Sequence, residues 1–272
     1  MTTRQQLDIQ RTSHLSHADQ GRWYGLSAEN WAKRILADDS NDIDSLHDDW
    51  ATRVPVMTIE QGAVAGQISD LQGRFNLNNL VSSDALSIER FERLLTLLDI
   101  DPEITPAVLD WIDEDLVARP AGAEDSYYTN QRPSYRTANR PMADISELRL
   151  VRGITAEIYA RLLPYVTVLP VATPININTA SPTLLATLSD NNQLDIDAII
   201  NFRQQQPFSS AQLLNDFNGD PEQPVKTTGL AVNSNYFQLT TQVSIGVSNQ
   251  QSYSLLLRRK TTSHTIRRWT GF

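Results

Sequence analysis

The sequence predicts an α+β fold: one sheet interrupted by an inserted helical domain. Three observations carry this. Residues 4–38 keep a helical period without a proline, residues 54–70 and 236–269 alternate as strands, and the block between them returns to helical spacing. Strands near both ends that bracket helices are most simply joined in a single sheet. The expected divisions are 1–81 for the first helix and strands, 82–228 for the helical insert and 229–272 for the closing strands.

In the first helix Leu7, Leu15, Ala18, Trp23, Leu26, Trp31, Ile35 and Leu36 recur at roughly helical spacing, and only Gly21 weakens the run. His14 and His17 sit three apart, but with no third ligand in view they read as surface histidines. An acidic loop (39–50) leads to a strand at Val54–Glu60, a turn at Gln61-Gly62 and a second strand at Ala63–Asp70. Gly73–Leu80 then leaves the sheet. A helix opens at Ser87 and runs through Leu98. Thr105-Pro106 caps the next, whose apolar face holds Val108, Leu109 and Ile112. Arg132–Pro141 is a polar loop, Asp144 with Glu147 makes a capping box, and Thr155 caps a helix that stops at Pro164. Residues 175–217 give three short helices, followed by a loop. Strands are expected at 236–247, 252–259 and 262–269. The basic residues Arg258, Arg259, Lys260, Arg267 and Arg268 of this tail read as the solvated face of a sheet.

A formal charge of −9 argues against generic binding to nucleic-acid phosphate or anionic lipid. The absence of cysteine removes disulfides, thiolate metal sites and thiol nucleophiles. No run approaches a membrane span, and no signal peptide is visible.

The chemistry concentrates in Asp110-Trp111-Ile112-Asp113-Glu114-Asp115 and Gly122-Ala123-Glu124-Asp125, six carboxylates within sixteen residues. Such crowding is costly unless the acids stay in water or a cation sits among them. An oxygen-rich flexible loop suits calcium, although the spacing is not that of an EF-hand. The alternative is a solvated acidic turn at a helix end. Asp110 is equally able to cap or to pair with Arg136 or Arg140. An acid/base pair of the glycosidase kind lacks accompanying subsites and a readable base, since the four histidines lie far from the acids. Residues 175–217 look like a helix-hairpin-helix unit. Its hairpin, Ser189–Gln193, has no glycine and carries one acid, so it reads as packing rather than as a phosphate grip.

Taken together, the chain resembles the type II secretion system protein K family, the large minor pseudopilins. The matching residues are Gln5–Ile9 and Trp23–Glu29, Gly73–Asn78, Asp110–Asp113, Gly122–Asp125, Tyr135–Arg140, Ser146–Leu148 and Ile175–Ser181. The resemblance implies a pilin-like fold, a long N-terminal helix packed on an antiparallel sheet with a large all-α domain inserted between strands. It implies a non-enzymatic subunit at the tip of a periplasmic pseudopilus, in complex with minor pseudopilins I and J. Pseudopilin H and secreted proteins are further candidate partners. There it would start or cap assembly for export of folded proteins across the outer membrane. Family members carry a leader and an inner-membrane helix, so this chain reads as the soluble part that follows them, with membrane contact only through that helix and with no nucleic acid. The family's association with structural calcium, one or two ions, assigns Asp113, Asp115, Glu124 and Asp125 as ligands, with Asn139 as a fifth. Calcium there would cancel repulsion between the acids and pin a loop that has no core of its own.

Overall fold

The computed structural model describes residues 3–39, 42–52, 56–60, 62–82, 84–189 and 193–270, with 3–10 and His14 through their backbone alone. In chain order the helices and strands are α1 (Thr3–Asp38), β1 (Met57–Ile59), β2 (Gly62–Asp70), β3 (Phe75–Asn76), α2 (Ala85–Leu97), α3 (Thr105–Ile112), α4 (Asp125–Tyr128), α5 (Ala156–Leu162), β4 (Val166–Thr167), β5 (Ile175–Asn176), α6 (Pro182–Ala186), α7 (Ile196–Gln205), β6 (Leu230–Ala231), β7 (Tyr236–Ile245), β8 (Ser248–Arg259) and β9 (Thr262–Thr270). They form two compact units, residues 1–71 with 233–272, and residues 72–232.

The first unit is a five-stranded antiparallel sheet in the order β1-β2-β7-β8-β9, with α1 packed along it. The alternation read at 236–247 is the cause of one-sided burial: Phe237, Leu239, Val243 and Ile245 are buried, with Thr241 in the same row. Register places Ile68 opposite Leu239 and Phe237 opposite Leu256. Ala32 and Leu36 of α1 close over this row together with Trp50, which meets Phe237 edge to face at 5.1 Å.

Glu29, Asp44, Asp70 and Arg258 are charged side chains buried in this unit. Glu29 of α1 accepts from Arg268 at 2.7 and 2.8 Å, from the Thr265 hydroxyl at 2.7 Å and from the Ser254 hydroxyl at 2.8 Å. Burial pushes its carboxyl up, but these hydrogen bonds outweigh burial and hold it at about 2. Arg258 is fully buried. It donates to Asp39 at 2.9 Å, to the buried Asp44 and to the Ser234 carbonyl at 2.9 Å, and it lies over the Phe237 ring. Hence the basic tail is not simply a solvated face. Arg258 and Arg268 point at acids of the N-terminal segment, which composition alone cannot indicate. Arg259 and Lys260 are exposed as expected.

Of the first expected strand, Met57–Ile59 pairs among the described residues, and Val54 and Pro55 lie outside them. Gln61 of the turn is also outside them. The β7–β8 turn uses Gly246 at φ 53°, where an added Cβ would sit 2.7 Å from the His17 ring, so His17 packs on the hairpin.

The second unit is helical with two small parallel ladders, β3 with β4 and β5 with β6. The sequence does not announce β3, β4, β5 or β6, because a two-residue strand has no measurable period. Each ladder is followed by a buried asparagine pair. Asn76 accepts the Asn78 N–H at 3.2 Å, and Asn178 stands to Asn176 in the same way at 3.0 Å. Asn78 then exchanges hydrogen bonds with the backbone of Met142 (3.0 and 2.9 Å), and Asn178 with that of Phe208 (3.0 and 2.8 Å). These amides satisfy loop backbone inside the core. Phe75, Phe91, Leu94, Leu95, Val108 and Ile112 belong to that core.

Several caps differ from expectation. The helix assigned to Ser87 begins at Ala85, since Asp84 caps it by accepting the Ser87 N–H at 2.9 Å. Thr105 is not a side-chain cap but the buried first residue of α3, entered from a 3-10 turn that Asp101 caps. The Asp144/Glu147 capping box and the Thr155 cap are present, the former opening a 3-10 segment, Ile145–Leu150. Of the Ser189–Gln193 hairpin, residues 190–192 lie outside the described ones.

Candidate metal centre

The site begins where α3 ends. Ile112 is the last helical residue and Asp113 is extended, so Asp113 and Asp115 stand in the loop beyond the helix rather than on its face. Asp110 remains on the last turn, fully buried. Its partner is neither Arg136 nor Arg140. Arg119 donates to it from the backbone N–H (3.1 Å to Oδ2) and from the guanidinium (2.7 Å to Oδ1). Arg136 instead lies 3.8 Å from Asp125, and Arg140 lies 3.6 Å from Glu147. The chain returns past Asp110 at Gly122, where a Cβ would fall 1.9 Å from Asp110 Oδ2. Only glycine fits.

This return brings Glu124 back to the acids of the outgoing loop. Asp113, Asp115 and Glu124 each offer a carboxylate oxygen, and these oxygens lie within 4.8 Å of one another. Glu124 is 3% exposed. Its Oε2 accepts from the Thr137 hydroxyl at 3.0 Å, while its Oε1 is buried with no hydrogen-bond partner. Asp113 Oδ1 and Asn139 Oδ1 are likewise buried without partners. Burial pushes the Glu124 carboxyl up. The charges of Asp110, Asp113 and Asp115 add to the rise, against the Thr137 hydrogen bond. Buried oxygens left unpaired are costly, and hard oxygen donors converging at this spacing suit a hard cation.

Asp125 is placed differently. Its Oδ1 accepts from the Thr137 N–H at 2.9 Å and hydroxyl at 3.1 Å, so it stands outside the close group of three and ties the 137 loop to the start of α4. Asn139, at φ 44°, donates its N–H to the Trp111 carbonyl at 3.1 Å, which sets it beside the end of α3. Trp111 packs edge to face on Tyr128 at 5.2 Å, and Tyr128 meets Tyr135 in a tilted contact. Arg152 donates to the Gly122 carbonyl at 2.8 Å. The sequence reading did not find the Arg119 and Thr137 contacts. An arginine nine residues from its acid carries no helical signature.

The residues present fit calcium. Asp113, Asp115 and Glu124 would supply carboxylate oxygens and Asn139 an amide oxygen, and the ion would supply charge neutralisation, with no catalytic step.

Two family profiles, both described as type II secretion system protein K, match residues 73–171 and 175–236. The protein K of Aeromonas hydrophila is 34% identical over 96% of this chain and 87% of its own length. That of Pseudomonas aeruginosa is 35% identical over 94% and 82%. Among solved structures, a chain of the GspK-GspI-GspJ complex from the enterotoxigenic Escherichia coli type 2 secretion system superposes with a TM-score of 0.81. It is 30% identical and covers 96% of this chain and 99% of the other. Sequence, fold and the order of motifs therefore converge, and the chain belongs to the type II secretion system protein K family.

Proposed function

We propose that this chain is a non-enzymatic minor pseudopilin that joins minor pseudopilins I and J at the tip of the type II secretion pseudopilus. The observation that supports this best is the similarity, over 96% of the chain, to a structure solved as a complex of K with I and J. In this reading α1 is the assembly element. Leu15, Trp23 and Trp31 leave apolar surface exposed along it, suited to neighbouring helices. Starting or capping assembly is a role that the large inserted unit, residues 72–232, suits, because it adds bulk that a simple stacking subunit does not need. The sheet and insert would lie in the periplasm, tethered to the inner membrane by a span ahead of α1. Among the described residues no helix is long and apolar enough to cross a membrane. Calcium would hold the inserted unit's acidic loop, as a structural ion.

The test is reconstitution with the I and J proteins of the same bacterium. Size exclusion with light scattering should show one K–I–J complex, and the chain eluting alone beside an I–J pair would overturn the assignment.

A further inference from the structure

The charges in the acidic loop do not balance, and among the described residues the cation paired with them, Arg119, reaches two acids at once. Asp110, Asp113, Asp115 and Glu124 are four carboxylates. Arg119 Nη1 donates to Asp110 at 2.7 Å and also to Asp113 Oδ2. Its own N–H is tied to Asp110. The two contacts are unequal in kind. Asp110 holds Arg119 by backbone and side chain together, and Gly122 closes against Asp110 from the other side. Asp113 holds it through a single guanidinium nitrogen, and Asp113 is also one of the three acids whose oxygens converge.

We infer that Arg119 is a built-in counter-ion that competes with the metal for Asp113. Without calcium the guanidinium bridges Asp110 and Asp113. When calcium takes Asp113 together with Asp115 and Glu124, Arg119 gives up Asp113 and stays on Asp110. The inference rests on the calcium reading above. Its physical basis is that a divalent ion and a guanidinium sharing one carboxylate repel each other at a few ångströms. The bridge therefore lowers affinity for the ion while keeping the ion-free loop folded. The loop between these residues presents Leu116 and Val117 to solvent, with the Val117 N–H held by Asp115 at 2.7 Å. Exchange of the cation at Asp113 thus acts on the base of an exposed apolar loop.

The experiment is calcium titration of the whole chain by calorimetry, with wild type, Arg119→Gln and Arg119→Lys, after circular dichroism shows each ion-free protein folded. Competition predicts that Arg119→Gln binds calcium about tenfold more tightly, since a nearby unit charge at partly screened range contributes a factor of this order. Arg119→Lys keeps the charge but not the planar fork and should fall between. Its ion-free form also serves if the glutamine variant fails to fold. Unchanged or weaker binding in the variants would overturn the inference, because Arg119 would then be orienting Asp113 rather than competing for it. No calcium uptake by wild type would remove the metal reading itself, a result separable from the first.

Discussion

Arg258→Met is the sharpest test of how the sheet unit is held together. Methionine keeps an aliphatic stem of similar length and removes the guanidinium that lies over Phe237, so the loss is electrostatic more than volumetric. The side chains of both Arg258 and Asp44 are 0% exposed, and Asp39, the other acid on Arg258, is partly solvated. Deleting one partner of a buried pair costs about 3–5 kcal/mol. Burial already pushes the Asp44 carboxyl up to about 6 against the pull of Arg258 and the Ser234 N–H, and without Arg258 it rises further. A carboxyl whose folded pKa is raised is most unfavourable to folding above that pKa and harmless below its unfolded value near 4. The defect should therefore be about 4 kcal/mol near pH 7.5 and shrink on acidification toward pH 4. Urea unfolding followed by tryptophan fluorescence reads it, since Trp23, Trp31, Trp50 and Trp269 lie in this unit and only Trp111 in the other. A Trp111→Phe background isolates the signal, which matters because two units need not unfold together. Arg258→Met with Asp44→Asn removes both charges and should recover more than half the loss. A single variant within about 1 kcal/mol of wild type at pH 7.5, or a double as impaired as the single, would refute the reasoning.

Three further outcomes follow from the same geometry. Calcium at about a hundred times its dissociation constant should stabilise the inserted unit by about 2.7 kcal/mol. For a unit of this size that raises Tm by roughly 5–10 °C. EDTA reverses the rise, and Glu124→Gln should lose most of it in differential scanning fluorimetry. Gly122→Ala should cost about 3 kcal/mol by driving a methyl into the buried Asp110 carboxylate and disturbing its pairing with the part-exposed Arg119, and a Trp111-monitored denaturation that moves by under 1 kcal/mol would contradict this. Glu29, held at about 2 against 4.5, contributes stability that is present above pH 4.5 and fades as pH falls toward 2. Glu29→Gln should flatten the pH dependence of stability between pH 5 and 3, measured by urea titration at each pH.

What the sequence made legible was whatever repeats along the chain. The period of residues 4–38 became α1, the alternation at 236–269 became β7, β8 and β9, and the Asp144/Glu147 spacing became a capping box. The density of acids at 110–125 located the candidate metal centre because crowded carboxylates are anomalous in any fold. The contacts that specify that site were not legible, since they join positions with no fixed spacing. Arg119 turns back on Asp110, Thr137 reaches Glu124 and Asp125, and Arg258 reaches Asp44 across most of the chain. The family motifs at Gly73–Asn78 and Ile175–Ser181 were visible as strings. Their physical content, buried asparagines that satisfy backbone between non-adjacent loops, needs the tertiary structure to be seen.

The acidic loop also shows why an ion suits this place better than a larger core. Between Asp113 and Glu124 the chain carries Leu116 and Val117, yet both face solvent, so burial cannot be what fixes the loop. Its shape comes from carboxylates that accept backbone N–H groups, Asp115 from Val117 and Asp110 from Arg119. That scheme draws negative charge inward, where Asp110 and Glu124 are almost wholly buried. One arginine cannot neutralise four acids, and the Glu124 carboxyl is pushed up first by burial and then by the charges of Asp110, Asp113 and Asp115. Two responses are open to the protein: Glu124 takes a proton, or a cation enters. Protonation would give Glu124 one donor and relieve one charge. A divalent ion would meet the unpaired oxygens of Asp113 and Glu124 together, which is the more complete answer to the geometry.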